Sequence, residues 1–158
     1  MITLFFDGLC EPVNPGGVAT FGFALFGLPA PREQVVGAGV LGAGPGMTNN
    51  FAEWVACGRG LGFLVAGKVK PDGLTILGDS QLVINQLTGD WECRDERLRR
   101  CRDRCIEYLT RLGCRWKAEW VPREQNALAD QLSAAVYVGR TGKPVPERPR
   151  KPKAGANR

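Results

Sequence analysis

The sequence predicts an α/β fold, a mixed sheet flanked by helices, on three observations. The first third of the chain carries three consecutive strand-like runs separated by Gly/Pro turns. After "PGMTNN" the apolar spacing changes from two to three-and-four, and helical and strand-like runs then alternate. Strands in series followed by alternation place three antiparallel strands first and add later ones to the same sheet. At 158 residues, one domain is expected, large enough to bury about two thirds of its unfolded surface.

"MITLFF" reads as the first strand, with Asp7 at its end. "GGVATFGFALFGL" is a longer strand with aromatic residues at alternate positions, and "EQVVGAGVLGAG" a third, rich in β-branched residues and glycine. "NNFAEWVACGRGLGFLVAG" spaces Phe51, Trp54, Val55, Gly58, Leu61, Gly62 and Val65 as a helix. Its glycines at 58, 60 and 62 each cost about 1 kcal/mol relative to alanine, which implies close packing against the sheet. "LTILGD" is a short buried strand closed by Asp79. "SQLVINQLTG" follows as a helix with Ser80 near its cap and Gly89 past its end. "RDERLRRCRDRCIEYLTRLG" is the clearest helix, striped by Leu98, Cys101, Cys105, Tyr108, Leu109 and Leu112 and ended by Gly113. "CRWKAEWVP" alternates like a half-exposed strand, and "NALADQLSAAVYV" is the last helix. The order is β-β-β-α-β-α-α-β-α, with no internal repeat.

Charge divides the chain at Gly139. The last twenty residues hold seven Lys/Arg against Glu147 alone, so the other 138 hold fourteen basic and fifteen acidic residues. A domain over 1–138 followed by a disordered Pro/Lys/Arg-rich tail over 139–158 is therefore expected. The tail suits a polyanionic partner, or alternatively serves solubility alone. No apolar run approaches the roughly 20 residues that span a bilayer, and the N-terminus lacks the basic region of a signal peptide. A cytoplasmic, monomeric protein without membrane contact is the expectation. Six scattered cysteines, with no CxxC pair, then read as reduced thiols, mostly small core residues. Cys101 and Cys105 are four apart, but no second pair or histidine exists to complete a zinc site. The absence of histidine also excludes Ser-His and Cys-His nucleophilic catalysis.

Four acids stand out by placement: Asp7 and Asp79 at strand ends, Glu53 beside Trp54 on the apolar-striped helix, and Asp130 early in the last helix. An ionised carboxylate in an apolar strand is costly unless paired or bound to a cation. Four gathered at one sheet edge cannot all stay ionised without one. Hard divalent ions, Mg²⁺ or Mn²⁺, are the natural neutralisers. A two-ion cluster of this kind suits in-line displacement at phosphorus. Placement alone also allows ordinary surface or capping acids.

The blocks "FFDGLCEPVNPGG", "TNNFAEW", "LGDSQLVINQL" and "VPREQNALAD", in that order, resemble type 1 ribonuclease H. The closest likeness is to the compact, archaeal-like variety that lacks the basic protrusion and has arginine in place of the catalytic histidine. The resemblance covers about residues 1 to 138. It implies the ribonuclease H-like fold, a five-stranded mixed sheet flanked by helices. It also implies endonucleolytic cleavage of the RNA strand of an RNA–DNA hybrid with Mg²⁺ or Mn²⁺, two ions per site, giving 5′-phosphate and 3′-hydroxyl ends. Duplex RNA is a further substrate of some compact relatives.

By that resemblance Asp7, Glu53, Asp79 and Asp130 are the metal-binding carboxylates and Arg123 takes the place of the histidine. Arginine stays charged at any working pH, so it suits stabilising the departing phosphate or product release rather than acting as a base. A salt bridge to Glu124 or Glu119 is its alternative use. Asn14, Asn49, Asn50 and Gln81 match positions that touch the hybrid's minor groove, whose 2′-hydroxyls an amide can both donate to and accept from. Asn14 also suits a turn before Pro15, and Asn49 a helix cap. Thr48 matches a residue that helps hold a DNA-strand phosphate, or caps the helix. With no basic protrusion, hybrid affinity is expected to move to Arg94, Arg97, Arg99, Arg100 and the tail, or the arginine run is a solvated helix face. Trp91 is expected to anchor the core or a loop, with packing against a DNA sugar, as the resemblance implies, its alternative use. The competing functions are another nuclease of the superfamily, such as a junction resolvase or exonuclease, and a non-catalytic hybrid-binding module.

Overall fold

The computed structural model of the chain describes residues 1–147. Strands β1 (Ile2–Glu11), β2 (Gly16–Phe26) and β3 (Gln34–Gly44) come first, then helix α1 (Asn49–Ala66) and strand β4 (Gly73–Gly78). Helices α2 (Gln81–Thr88) and α3 (Glu96–Leu112), strand β5 (Arg115–Trp120) and helix α4 (Ala127–Thr141) complete the chain. The predicted element order is reproduced, with one 3-10 turn (Arg123–Asn126) added before α4. The five strands form one mixed sheet in the order β3-β2-β1-β4-β5. The β1–β2 and β2–β3 pairs are antiparallel, and β1–β4 and β4–β5 are parallel.

Three expectations are corrected. Asp7 does not end the first strand, because β1 runs on to Glu11 and pairs with β2 along that length, Asp7 facing Gly22. The parallel β1–β4 ladder, however, stops at Phe6 opposite Gly78. Asp7 therefore lies one residue beyond the point where β4 ceases to pair. The glycines of α1 serve two surfaces rather than one. A Cβ on Gly60 would overlap the Leu4 side chain of β1, whereas Gly58 and Gly62 face Cys105 and Tyr108 of α3. Finally, α4 continues three residues past Val138 and ends at Gly142, whose left-handed backbone (φ 68°) lets its N–H reach the Val138 carbonyl. The expected basic tail thus begins later than Gly139, and its residues 148–158 lie outside the described residues.

The core lies chiefly between the sheet and α1, with Leu4, Phe6, Leu25, Trp54, Leu61, Leu64 and Ile76 fully buried, or nearly so. The α3 stripe packs there through Leu98, Cys105 and Leu109. Cys10, Cys57, Cys93 and Cys105 are buried free thiols, while Cys101 and Cys114 are half-buried. A hydrogen bond with Cys105, then burial, holds the Cys57 thiol well above its ordinary pKa. That favours an inert core role. Trp91 is 47% exposed, so it is not a core anchor. Among the described residues no helix is long and apolar enough to cross a membrane.

Candidate active site

Three of the four predicted carboxylates meet. Asp7, Glu53 and Asp79 each present an oxygen within 4.8 Å of those of the other two, and all three are buried. Each comes from a different element: the middle of β1, the second turn of α1, and the residue after β4.

Two glycines permit this convergence. Side chains alternate across a strand, so Gly8 and Asp7 project to opposite faces of β1. A Cβ on Gly8 would overlap the Glu53 amide nitrogen and the Ala52 carbonyl carbon. The missing side chain is what lets α1 sit against β1 with Glu53 beside Asp7. Gly22, opposite Asp7 on β2, does the same for α4: its Cβ would lie 2.7 Å from the Ala129 carbonyl oxygen and 2.9 Å from the Ser133 nitrogen. That approach lets the buried Ser133 hydroxyl donate to Asp7 Oδ2 at 2.6 Å. The Thr20 hydroxyl pins the same turn by donating to the Ser133 carbonyl at 2.9 Å.

Asp79 is held from both sides of its backbone. The Trp120 indole donates to its carbonyl at 3.1 Å. Buried Asn126, between the 3-10 turn and α4, donates from Nδ2 to the Phe6 carbonyl at 2.8 Å and contacts Asp79 Oδ1 at 3.4 Å. Its amide thereby ties the end of the β1–β4 ladder to the carboxylate beside it. Ser80 then caps α2 by accepting from the Val83 N–H at 3.2 Å, as its position predicts. Next to Glu53, Trp54 is fully buried and donates to Gln86 of α2 at 3.1 Å.

Asp130 does not share that 4.8 Å span. It stands in the first turn of α4, half-buried, with Arg123 at 3.3 Å. Arg123 therefore pairs with Asp130 rather than with Glu124 or Glu119, since the 3-10 turn folds it back over α4, while Glu119 pairs with Lys117 at 3.0 Å. The predicted quartet is thus a buried trio with a fourth carboxylate in an ion pair.

The amide residues gather nearby. Asn14, in the β1–β2 turn, accepts the Asn49 N–H on Oδ1 at 3.0 Å. That joins the turn to the start of α1. Thr48, not Asn49, is the helix cap, its hydroxyl accepting from the Phe51 N–H at 3.1 Å. Asn49, Asn50 and Gln81 line a cleft of about 290 Å³ together with Asp79 and Trp120. Sequence reasoning missed Gly8, Gly22, Trp120, Asn126 and Ser133 as parts of the site. Asn126 lies within the quoted "QNALAD" block, but its role depends on contact with Phe6, 120 positions away.

The donor set fits a hard divalent cation. It consists of anionic oxygens with no thiolate or imidazole, and like charges this close favour a cation between them.

A family model described as reverse transcriptase-like matches residues 13–136. Ribonuclease HI of Halobacterium salinarum is 37% identical over 133 residues, which is 82% of this chain and 60% of that relative. The chain thus spans about 60% of the length of that relative. The crystal structure of RNase H1 from the same archaeon superposes with a TM-score of 0.72 at 34% identity, covering 87% of this chain and 98% of that one. The N-terminal RNase H domain of a Mycobacterium tuberculosis protein gives 0.69 at 26% identity, covering 84% and 95%. With a family model matched over most of its length and a solved RNase H1 covered almost end to end, this chain belongs to the type 1 ribonuclease H family.

Proposed function

We propose that this protein is an endoribonuclease that cleaves the RNA strand of RNA–DNA hybrids, using two Mg²⁺ or Mn²⁺ ions and leaving 5′-phosphate and 3′-hydroxyl ends. The observation that carries this reading is the buried Asp7–Glu53–Asp79 trio, within 4.8 Å, beside a cleft lined by neutral amides. The three carboxylates would hold the ions, with Asp130 completing the set from α4. Bound ions of this kind supply charge neutralisation and water activation for in-line attack at phosphorus. Ser133 and Asn126 keep two of the carboxylates oriented, as outer hydrogen-bond partners do in metal sites. Asn14, Asn49, Asn50 and Gln81 offer both donors and acceptors to 2′-hydroxyls, the group that distinguishes RNA from DNA. The Thr48 hydroxyl, which accepts the Phe51 N–H, keeps its own proton to donate to a DNA-strand phosphate. Arg123 supplies a fixed positive charge beside Asp130 and does not act as a base. A reducing, cytoplasmic setting is part of the same reading, as six scattered cysteines without a CxxC pair suit it.

A panel of labelled hybrid, duplex RNA, duplex DNA and four-way junction tests the proposal in the presence of Mg²⁺ or Mn²⁺. Cleavage of the hybrid's RNA strand is expected, and Asp7→Asn should lose it while still binding hybrid. Cleavage confined to the junction, or unchanged cleavage by Asp7→Asn, would overturn it.

A further inference from the structure

Helices α1 and α3 flank an open groove of about 420 Å³, where Gly58 of α1 faces Cys105 of α3. Its floor includes Trp54 and Gly58, and its walls carry Arg59, Arg97, Arg100 and Arg104. Among the described residues no acidic side chain is part of its lining, although Glu96 pairs with Arg100 at its rim. Four guanidinium groups converge there although residues 1–138 are net acidic by one charge.

The arginines are held in an unusual way. Arg59 stacks over the Phe21 ring at 5.4 Å, Arg97 over Phe51 at 4.0 Å, and Arg104 over Tyr108 at 6.0 Å. A guanidinium beside a ring has five N–H donors, so those not used within the protein can meet an anion; Arg104 also hydrogen-bonds the Tyr108 side chain. Arg97 also donates to the Gly46 carbonyl, which fixes it at the mouth of the groove. Arg100 has a carboxylate partner, Glu96, but both side chains are about three-quarters exposed. Such a pair contributes little and yields readily to a competing anion. The other arginines of this helix lie elsewhere: Arg99 donates to the Cys93 and Arg94 carbonyls, Arg102 pairs with Asp103, and Arg111 lines a separate cavity at the far end of α3. The structure therefore selects part of the arginine run, and adds Arg59 from another element.

Arg97, Arg100 and Arg104 recur at three- and four-residue spacing along one face of α3. At 1.5 Å per residue they extend about 10 Å, the rise of roughly three nucleotides at about 3.4 Å each. An open groove whose charged lining residues are four arginines spread along two helices fits a run of backbone phosphates better than one small anion. Glu53 of the buried trio and Trp54 of the groove floor are adjacent on α1, so the two surfaces share a helix.

We propose that the α1–α3 groove binds the sugar–phosphate backbone of the nucleic acid through Arg59, Arg97, Arg100 and Arg104, extending its track beyond the cleft at Asp79. This rests on the reading of the protein as a hybrid-binding enzyme. The contact is electrostatic and blind to sequence, and it takes over the task that a basic insertion would perform.

The test uses the full chain carrying Asp7→Asn, a fluorescent hybrid of about 20 base pairs, and titrations at about 50 and 200 mM salt. Each phosphate contact contributes about 0.9 to the slope of log affinity against log salt. Adding Arg59→Gln, Arg100→Gln and Arg104→Gln should lower that slope by about 2.7. The loss of affinity across this fourfold salt range then shrinks by about 40-fold relative to the parent. A triple Lys variant should keep the slope, because the charge is retained. An unchanged slope in the Gln variant overturns the proposal. Should that variant not fold, arginine-specific modification of the Asp7→Asn protein decides the matter: hybrid should shield Arg59, Arg100 and Arg104, and equal labelling with and without hybrid overturns it. Cleavage of hybrid by the unaltered protein is scored separately. Cleavage with no groove effect refutes the groove alone, whereas a groove effect without cleavage refutes the enzymatic reading alone.

Discussion

Replacing Asp7 by asparagine should stabilise the metal-free protein and at the same time end its response to divalent ions. Two unit charges 4.8 Å apart, the outer spacing within the trio, repel by about 332/(20 × 4.8) ≈ 3.5 kcal/mol at an effective dielectric constant of about 20. Asp7 faces two such neighbours, which gives about 7 kcal/mol of pair repulsion. Side-chain relaxation and water penetration relieve part of it, so about 2–4 kcal/mol is left for the variant to recover. Against this, the Ser133 hydrogen bond at 2.6 Å changes from charge-assisted to neutral, a loss of about 1 kcal/mol. The net gain is about 1–3 kcal/mol, or about 2–12 °C in Tm for a chain of this size. Thermal unfolding in a chelator and in excess Mn²⁺ measures it. The unaltered protein should gain stability with Mn²⁺ by mass action, and Asp7→Asn should melt higher in chelator and respond little to the ion. A variant that melts at or below the parent in chelator, or that gains as much from Mn²⁺, would refute the crowding argument.

Ser133→Ala removes a buried donor to a carboxylate and should cost about 1.5–3 kcal/mol in denaturant unfolding. Loss of such an outer partner should also weaken Mn²⁺ binding by about tenfold in calorimetry; unchanged affinity would mean that Ser133 serves packing alone. Gly8→Ala places a methyl group into the Glu53 and Ala52 backbone, so Tm should fall by about 4–12 °C for about 2–3 kcal/mol of overpacking. A parental melting curve would show that α1 is free to shift away from β1. Thr48→Ala should cost about 1 kcal/mol by loss of the α1 cap, and Thr48→Ser should restore it.

Much of this protein was legible in its residues taken in order. The change of apolar period after Asn50 separates the antiparallel strands from the alternating half. Local chemistry at Ser80, Gly89 and Gly113 marks helix ends, because a hydroxyl cap or a left-handed glycine is a property of a few adjacent residues. The candidate carboxylates and amides were legible too, through the resemblance of four short blocks to one family. What tertiary structure alone decided is which of them meet. That Asp7, Glu53 and Asp79 converge while Asp130 turns to Arg123 depends on how closely α1 and α4 approach β1 and β2. Those approaches are set by Gly8 and Gly22, which look in sequence like any other strand glycines. Ser133 and Asn126 gain their roles from partners more than a hundred positions away. Periodicity reports which face of an element is apolar, but a hydrogen bond or a steric gap between distant segments exists only once the chain has folded.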